Sequence, residues 1–220
     1  MDFSRTKGFY NLYGKRIFDL LFAIVLFCLF FWVYLFIAII IVATDGFPIF
    51  YRGLRGGFHN KSFRIIKFRT MVKNAEKIGG GTTALNDTRI TKIGRILRKT
   101  KLDEIPQIFN VIRGEMSFVG PRPELLQYTS KYEGDEKYIL EVRPGITDYS
   151  SLAYISLDEI VGEEDVDRMY EEKVLKRKNR LRMKYVSEIC IKTDFILFFK
   201  TISKTFRKSK EFVVDGKSEY

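Results

Sequence analysis

Histidine occurs once in the 220 residues, as His59, and cysteine twice, as Cys28 and Cys190. One imidazole excludes a metal centre built on histidines and largely removes a Ser-His-Asp triad, leaving His59 as a loop residue. Two cysteines without framework spacing exclude a disulfide scaffold and read as reduced thiols facing or inside a cytoplasmic compartment. The basic start of the chain and its apolar run lack the small-residue cleavage site of a removable signal peptide. No Gly-Lys-Ser/Thr follows Gly79-Gly80-Gly81, so that triplet is a mobile loop and not a P-loop. Neither a zinc finger nor the aromatic motif of RNA-recognition domains is present, which argues against nucleic acid as a partner.

Cations are plentiful. Lys+Arg number 38 against 27 Asp+Glu, for a net charge of +11, so the partner surface is expected to be anionic: lipid headgroups, nucleic acid or phosphorylated small molecules, among which composition does not choose. Leu20 to Thr44, by contrast, carries no charge at all. About 25 helical residues at ~1.5 Å each reach ~38 Å, beyond the ~30 Å hydrocarbon core of a bilayer. Arg5, Lys7, Lys15 and Arg16 precede this run, and Arg52, Arg55, Lys61 and Arg64 follow it. A spanning helix shows an imbalance of Lys and Arg, so the balance here fits both ends lying on one face, with a straight spanning helix as the competing reading.

The chemistry concentrates in Thr100 to Pro123. Thr100 with Asp103 fits a capping box, and Pro106 is tolerated only in a first turn, which places Asp103 and Glu104 near a helix N-terminus suited to phosphate. Neighbouring acids point about 100° apart and are expected to have different roles, one as nucleophile and one holding Mg²⁺ or steering a proton. The competing reading makes Asp103 a simple cap and Glu104 a solvated surface acid. Gly120-Pro121-Arg122-Pro123 presents the Arg122 fork from a stiff loop, with a rigid turn whose arginine pairs a nearby carboxylate as the competing reading, and Arg143-Pro144-Gly145 reads as a type II turn.

Around this stretch, Pro48-Ile49-Phe50-Tyr51 and Phe63 to Phe68 read as a β-hairpin, with a bulge at Ile65-Ile66. It would present Lys67 and Arg69 to phosphate or leave them on a solvated edge. Arg89 to Lys101 forms a basic amphipathic helix, at a membrane surface or packed on a core, that carries Arg98 toward Asp103. Asp158 to Asp167 and Lys173 to Lys184 suggest exposed helices. Ile189 to Phe206 reads as an interfacial amphipathic helix, with a core helix as the alternative, and a disordered tail follows Lys208.

Asp103-Glu104-Ile105-Pro106-Gln107, Phe109-Asn110-Val111, Met116 to Pro123 and Arg143 to Thr147 resemble the bacterial sugar transferases, the monotopic polyprenyl-phosphate phosphoglycosyl transferases. Lys15-Arg16-Ile17-Phe18-Asp19, Lys67 to Met71 and Asp194 to Ile202 fit as well, so the likeness covers nearly the whole chain in order. The resemblance implies an α+β fold, mainly helical with a small β-hairpin. It implies a monotopic membrane protein with a re-entrant anchor over residues 1–46, a catalytic domain over 47–208 and a tail over 209–220. It also implies a phospho-sugar moved from a UDP-sugar to polyprenyl (undecaprenyl) phosphate, initiating membrane-linked glycan synthesis.

The site set is then Asp103 and Glu104 for catalysis and Mg²⁺, with Lys67, Arg69, Arg98, Arg122 and Arg143 for substrate. Membrane lipid is a partner, a homodimer is admitted, and the location is the cytoplasmic face of the bacterial inner membrane. Two departures stand out. Phe31-Trp32 replaces the family's Ser-Pro break, so a bend must come from packing, which could bring Trp32 into a protein contact. Asp148-Tyr149-Ser150-Ser151-Leu152 replaces Gly-Trp-Ala-Gln-Val, so sugar preference does not carry over from relatives. A polybasic membrane adaptor without chemistry is the runner-up, and it has no need of Asp103, Glu104 or the stiff Arg122 loop.

Overall fold

The computed structural model describes residues 1–75, 87–153 and 170–215, without the side chains of 172, 173 and 206–215. The glycine triplet and the acidic segment Asp158 to Asp167 lie outside the described residues. Helix α1, Lys15–Asp45, leads into an antiparallel hairpin of β1, Phe50–Gly56, and β2, Ser62–Phe68. Next come α2, Lys92–Lys99, a 3-10 segment Leu102–Gln107, and α3, Ile108–Arg113. Strand β3, Ser117–Val119, the short α4, Leu126–Thr129, and β4, Gly145–Thr147, follow. The chain closes with α5, Tyr149–Ala153, α6, Lys176–Glu188, and α7, Ile191–Asp215. The fold is mainly helical with two small sheets, the hairpin and a parallel β3–β4 pair that local sequence did not announce.

Helical hydrogen bonding in α1 is unbroken across Phe30-Phe31-Trp32-Val33. The helix lies along the rest of the protein. Ala23, Tyr34, Ile37 and Ile41 share one buried core with Phe68, Leu97, Val111, Phe118 and Leu197. At its N-terminal end Lys15 pairs with Asp194, and Arg16 donates to the carbonyls of Val111 and Ile112 at the end of α3. Further along, the Tyr34 hydroxyl donates to the Ile105 carbonyl at 2.6 Å. Past its C-terminus, Arg69 donates to the carbonyls of Asp45, Gly46 and Phe47. Both ends of the apolar helix are therefore tied to one body. Trp32 is 73% exposed, so it is not drawn into a tertiary contact as a bend would allow.

Four local expectations are corrected. Thr100 does not cap the Asp103 segment: it ends α2, its hydroxyl donating to Ile96 and Leu97 carbonyls, and Lys101 in the left-handed region (φ 59°) makes the corner. No bulge interrupts β2, which pairs in continuous register from Ser62 to Phe68. Ile65 and Ile66 are both buried because both faces of the strand are covered at this point, although Ser62 and Arg64 before it are exposed, and Asn110 bonds its backbone at Ile66 N and Arg64 O. Gly145 is not in a type II turn, since it begins β4 without a positive φ. A Cβ there would lie 2.0 Å from Gly120 N, so glycine is needed for backbone approach. Finally, α6 is not simply exposed, because Lys178, Asn179 and Arg182 are buried.

Helix α7 begins close to the expected start and continues to Asp215, so the tail expected after Lys208 falls partly in its last turns and partly outside the described residues. Its Phe195, Ile196, Phe199 and Ile202 are exposed beside Phe18, Leu21, Val25 and Leu29 of α1. The Phe18 and Phe195 rings lie 5.4 Å apart. Both helices thus keep large apolar side chains at the surface, and they meet at this ring pair.

Candidate active site

The left-handed corner at Lys101 turns the chain from α2 into the Leu102–Gln107 segment and sets the two acids against β2. Glu104 accepts from Lys67 Nζ at 2.8 Å and from both terminal nitrogens of Arg122, one at 3.1 Å. Burial alone would raise the Glu104 carboxyl, but the Arg122 guanidinium and the Lys67 ammonium outweigh it and hold it well below the ordinary carboxylate range. Burial lowers Lys67 in turn, against the pull of Glu104. Both oxygens of Glu104 are engaged by cations.

Asp103 is in the opposite state. It is 7% exposed, and its Oδ1 is buried without a hydrogen-bond partner. Burial pushes its carboxyl above the ordinary value, opposed by Lys67 and reinforced by the Glu104 charge, while Lys101 and Arg98 act from further away. The adjacent acids are thus driven apart, one fixed as an anion in a cation clamp and one left basic with a free oxygen, which is how one site assigns different tasks to like groups. Gln107, four residues on, is fully buried with both amide atoms unpaired.

The other expected residues divide. Arg122 completes the clamp, and its guanidinium also donates to the Ile146 carbonyl at 3.1 Å. Arg98 donates to Thr70 Oγ1 at 2.9 Å and stands close enough to lower Asp103. Arg69 caps the end of α1 and is not brought to the Glu104 clamp. Arg143 lies against Gly114, its guanidinium 5.2 Å from the Phe58 ring centroid, and is likewise outside the clamp. What Arg143 contributes is its backbone: the glycines of the Arg122 loop and the Arg143 segment pack back to back, with Gly145 N donating to Pro121 O and Gly120 N to Thr147 O.

A cavity of about 650 Å³ opens beside the clamp. Lys101, Glu104 and Arg122 form a polar part of its wall, while Leu26, Phe30 and Phe198 of α1 and α7 form an apolar one. Lys178 also lines it and had no sequence signal, because it sits in a lysine-rich stretch that looks solvated. Burial lowers it to about 8, with Glu124 opposing; its Nζ reaches the Tyr170 hydroxyl at 3.2 Å. Among the described residues no cluster of three or more metal-ligating side chains occurs. The free Asp103 oxygen is a hard donor suited to Mg²⁺, whereas Glu104 in this arrangement is occupied.

Comparison with known proteins identifies the family. The model of the bacterial sugar transferase family matches residues 10–208. The chain is 40% identical over 138 residues to the uncharacterized sugar transferase EpsL of Bacillus subtilis, covering 63% of this chain and 67% of that protein. It is 35% identical over 204 residues to the exopolysaccharide production protein ExoY of Rhizobium meliloti, covering 86% and 84%. Over 182 residues it is 35% identical to the undecaprenyl-phosphate galactose phosphotransferase of Salmonella typhimurium, covering 76% of this chain but 35% of that longer protein. With the family model matching residues 10–208, the chain belongs to the bacterial sugar transferase family.

Proposed function

We propose that this protein is an undecaprenyl-phosphate sugar phosphotransferase, moving a phospho-sugar from a UDP-sugar to a polyprenyl phosphate at the start of exopolysaccharide or related glycan synthesis. The observation that carries the reading is the cavity, which joins the Glu104–Arg122 clamp to the apolar side chains of α1 and α7. A ligand with a phosphate head and a hydrocarbon chain needs such a wall. Relatives named as undecaprenyl-phosphate galactose, N-acetylgalactosamine and glucose phosphotransferases support it.

Asp103 is the nucleophile in this scheme. Its unpaired oxygen and raised proton affinity make it the better attacking carboxylate, while the oxygens of Glu104 are engaged. An Asp103 oxygen bonds to the β-phosphorus, the bond to the bridging oxygen breaks, and UMP leaves with that electron pair. A polyprenyl phosphate oxygen then displaces the Asp103 carboxylate, giving the polyprenyl diphospho-sugar. Arg122, held rigid between two prolines, and Lys67 offset the phosphoryl charge, and Arg98 favours the ionised form of Asp103. Mg²⁺, when bound by the Asp103 carboxylate, supplies charge neutralisation at the diphosphate. The exposed apolar side chains of α1 and α7 would rest in the cytoplasmic leaflet of the inner membrane.

The test is capture of the covalent species. Incubation with a labelled UDP-sugar and no lipid acceptor should leave phospho-sugar on the wild-type chain and none on Asp103→Asn. A wild-type enzyme that turns over with sequential kinetics and never labels would sink the covalent scheme. Turnover should also stop in EDTA and return with Mg²⁺.

A further inference from the structure

The segment after β4, Asp148 to Leu152, holds a buried polar network. Asp148 is fully buried, and donors surround its carboxylate: Ser150 Oγ at 2.8 and 2.9 Å, Ser151 Oγ at 2.7 Å, Ser151 N at 2.7 Å and Arg122 N at 3.4 Å. A hydroxyl has one proton and two lone pairs. Once the Ser151 proton is committed to Asp148, only acceptor capacity is left for anything in the cavity that Ser151 lines. The same wall carries Lys178, which in its ammonium form donates N–H and accepts nothing.

An acceptor-only hydroxyl repels phosphate oxygens, which are acceptors themselves. It suits a ligand hydroxyl, which donates to it and accepts from an ammonium nearby. We propose that Ser151, locked by Asp148, and Lys178 form a subsite that reads a vicinal diol of the nucleotide-sugar beside Arg122. Two parts of that ligand carry such a diol: the transferred sugar ring and the uridine ribose. The inference rests on the transferase reading and adds to it the element that sets donor preference. Asp148 acts here as a positioning residue through Ser151.

Full-length protein in nanodiscs with undecaprenyl phosphate is assayed for UMP release from UDP-glucose, UDP-galactose and their N-acetylamino counterparts. The KM for the sugar that turns over, and the inhibition constants of UDP and 2′-deoxy-UDP, are then measured for wild type, Ser151→Ala and Lys178→Gln. If the sugar ring is read, KM rises about tenfold and both inhibition constants hold. If the ribose is read, KM and the UDP constant rise about tenfold together, while 2′-deoxy-UDP, already weaker on wild type, weakens no further. The proposal is overturned if both variants leave all three quantities within twofold, or if all three move alike. Ser151→Ala serves alone should the buried Lys178 variant fail to fold. A wild type that releases UMP from none of the four donors would instead remove the transferase reading, and this inference with it.

Discussion

Lys15 and Asp194, 179 residues apart in the chain, form an ion pair inside the protein with both side chains at most 10% exposed. Tyr10 and Tyr185 hydroxyls donate to the same carboxylate at 2.7 and 2.8 Å. The start of α1, α6 and α7 thus converge on one anion. Removing one partner of such a pair leaves a buried charge uncompensated, at a cost of about 3–5 kcal/mol. Lys15→Met or Asp194→Leu should lower the thermal midpoint in detergent steeply, and the double variant should recover part of that loss.

The Glu104–Arg122 clamp relies on two guanidinium nitrogens reaching two carboxylate oxygens. Lysine keeps the charge but not the fork, so Arg122→Lys should still lose about 10²-fold in kcat/KM. In a double-mutant cycle with Glu104→Gln, the combined loss should fall well short of the product of the single losses, because either change dissolves the same clamp. Fully multiplicative losses would mean the two residues act separately.

Gly145→Ala should cripple the protein without altering any side chain of the site. The added Cβ meets Gly120 backbone atoms at 2.0–2.6 Å, so β3 and β4 must part. Overpacking of this kind costs about 1–3 kcal/mol or more. The expected result is a lowered thermal midpoint together with lost activity, since the Arg122 loop moves with β3. Gly134→Ala, with open space around it but a positive φ, should cost about 1 kcal/mol and spare catalysis.

Lys178 sets a pH dependence. Its folded value of about 8 lies below the ordinary lysine value of 10.5, so between those limits the unfolded chain holds a proton that the folded one has released. Stability therefore rises with pH across that window. Chemical denaturation of wild type against Lys178→Gln from pH 7 to 10.5 should show wild type gaining on the order of 2 kcal/mol relative to the variant. A flat difference would mean Lys178 is not desolvated.

Both ends of α1 are fastened to one body, at Lys15 and beyond Asp45. Single cysteines at Lys7→Cys and Arg55→Cys, in a Cys28→Ser, Cys190→Ser background, should both resist an impermeant thiol reagent in intact cells and both react after lysis. Labelling at position 7 in intact cells would show a helix that crosses the bilayer.

The elements with strong patterning were legible in sequence: α1, β2, α2 and α7 lie close to where the apolar pattern puts them, while β1 begins at Phe50 and runs on to Gly56, beyond the Pro48 to Tyr51 stretch expected for it. The Asp103-Glu104-Arg122 grouping was legible too, because a dense motif keeps its members close in the chain. Apart from Thr100, which turned out to close the preceding helix, the misses share one cause: tertiary contact overrode local pattern. Gly145 looked like a turn residue because sequence shows a glycine's freedom and hides the backbone it must let pass. Ile65-Ile66 looked like a bulge because alternation assumes one wet face throughout, whereas the face that is exposed at Ser62 and Arg64 becomes buried from Ile66 on. Lys178 and Arg182 looked solvated because nothing local reveals that Glu124, more than fifty residues earlier, pairs with Arg182 from below.

Tyr34, midway along the apolar helix, holds the carbonyl of Ile105, two residues from Asp103. The boundary near residue 46 therefore marks a change of composition and not a seam along which the protein could be cut. A truncated chain beginning at the hairpin would strip the Ile37 and Ile41 side of the core and unfasten the acid segment together. During biogenesis the same dependence runs forward in time: the Tyr34–Ile105 bond and the Ile37 and Ile41 packing form only once the first helix has docked.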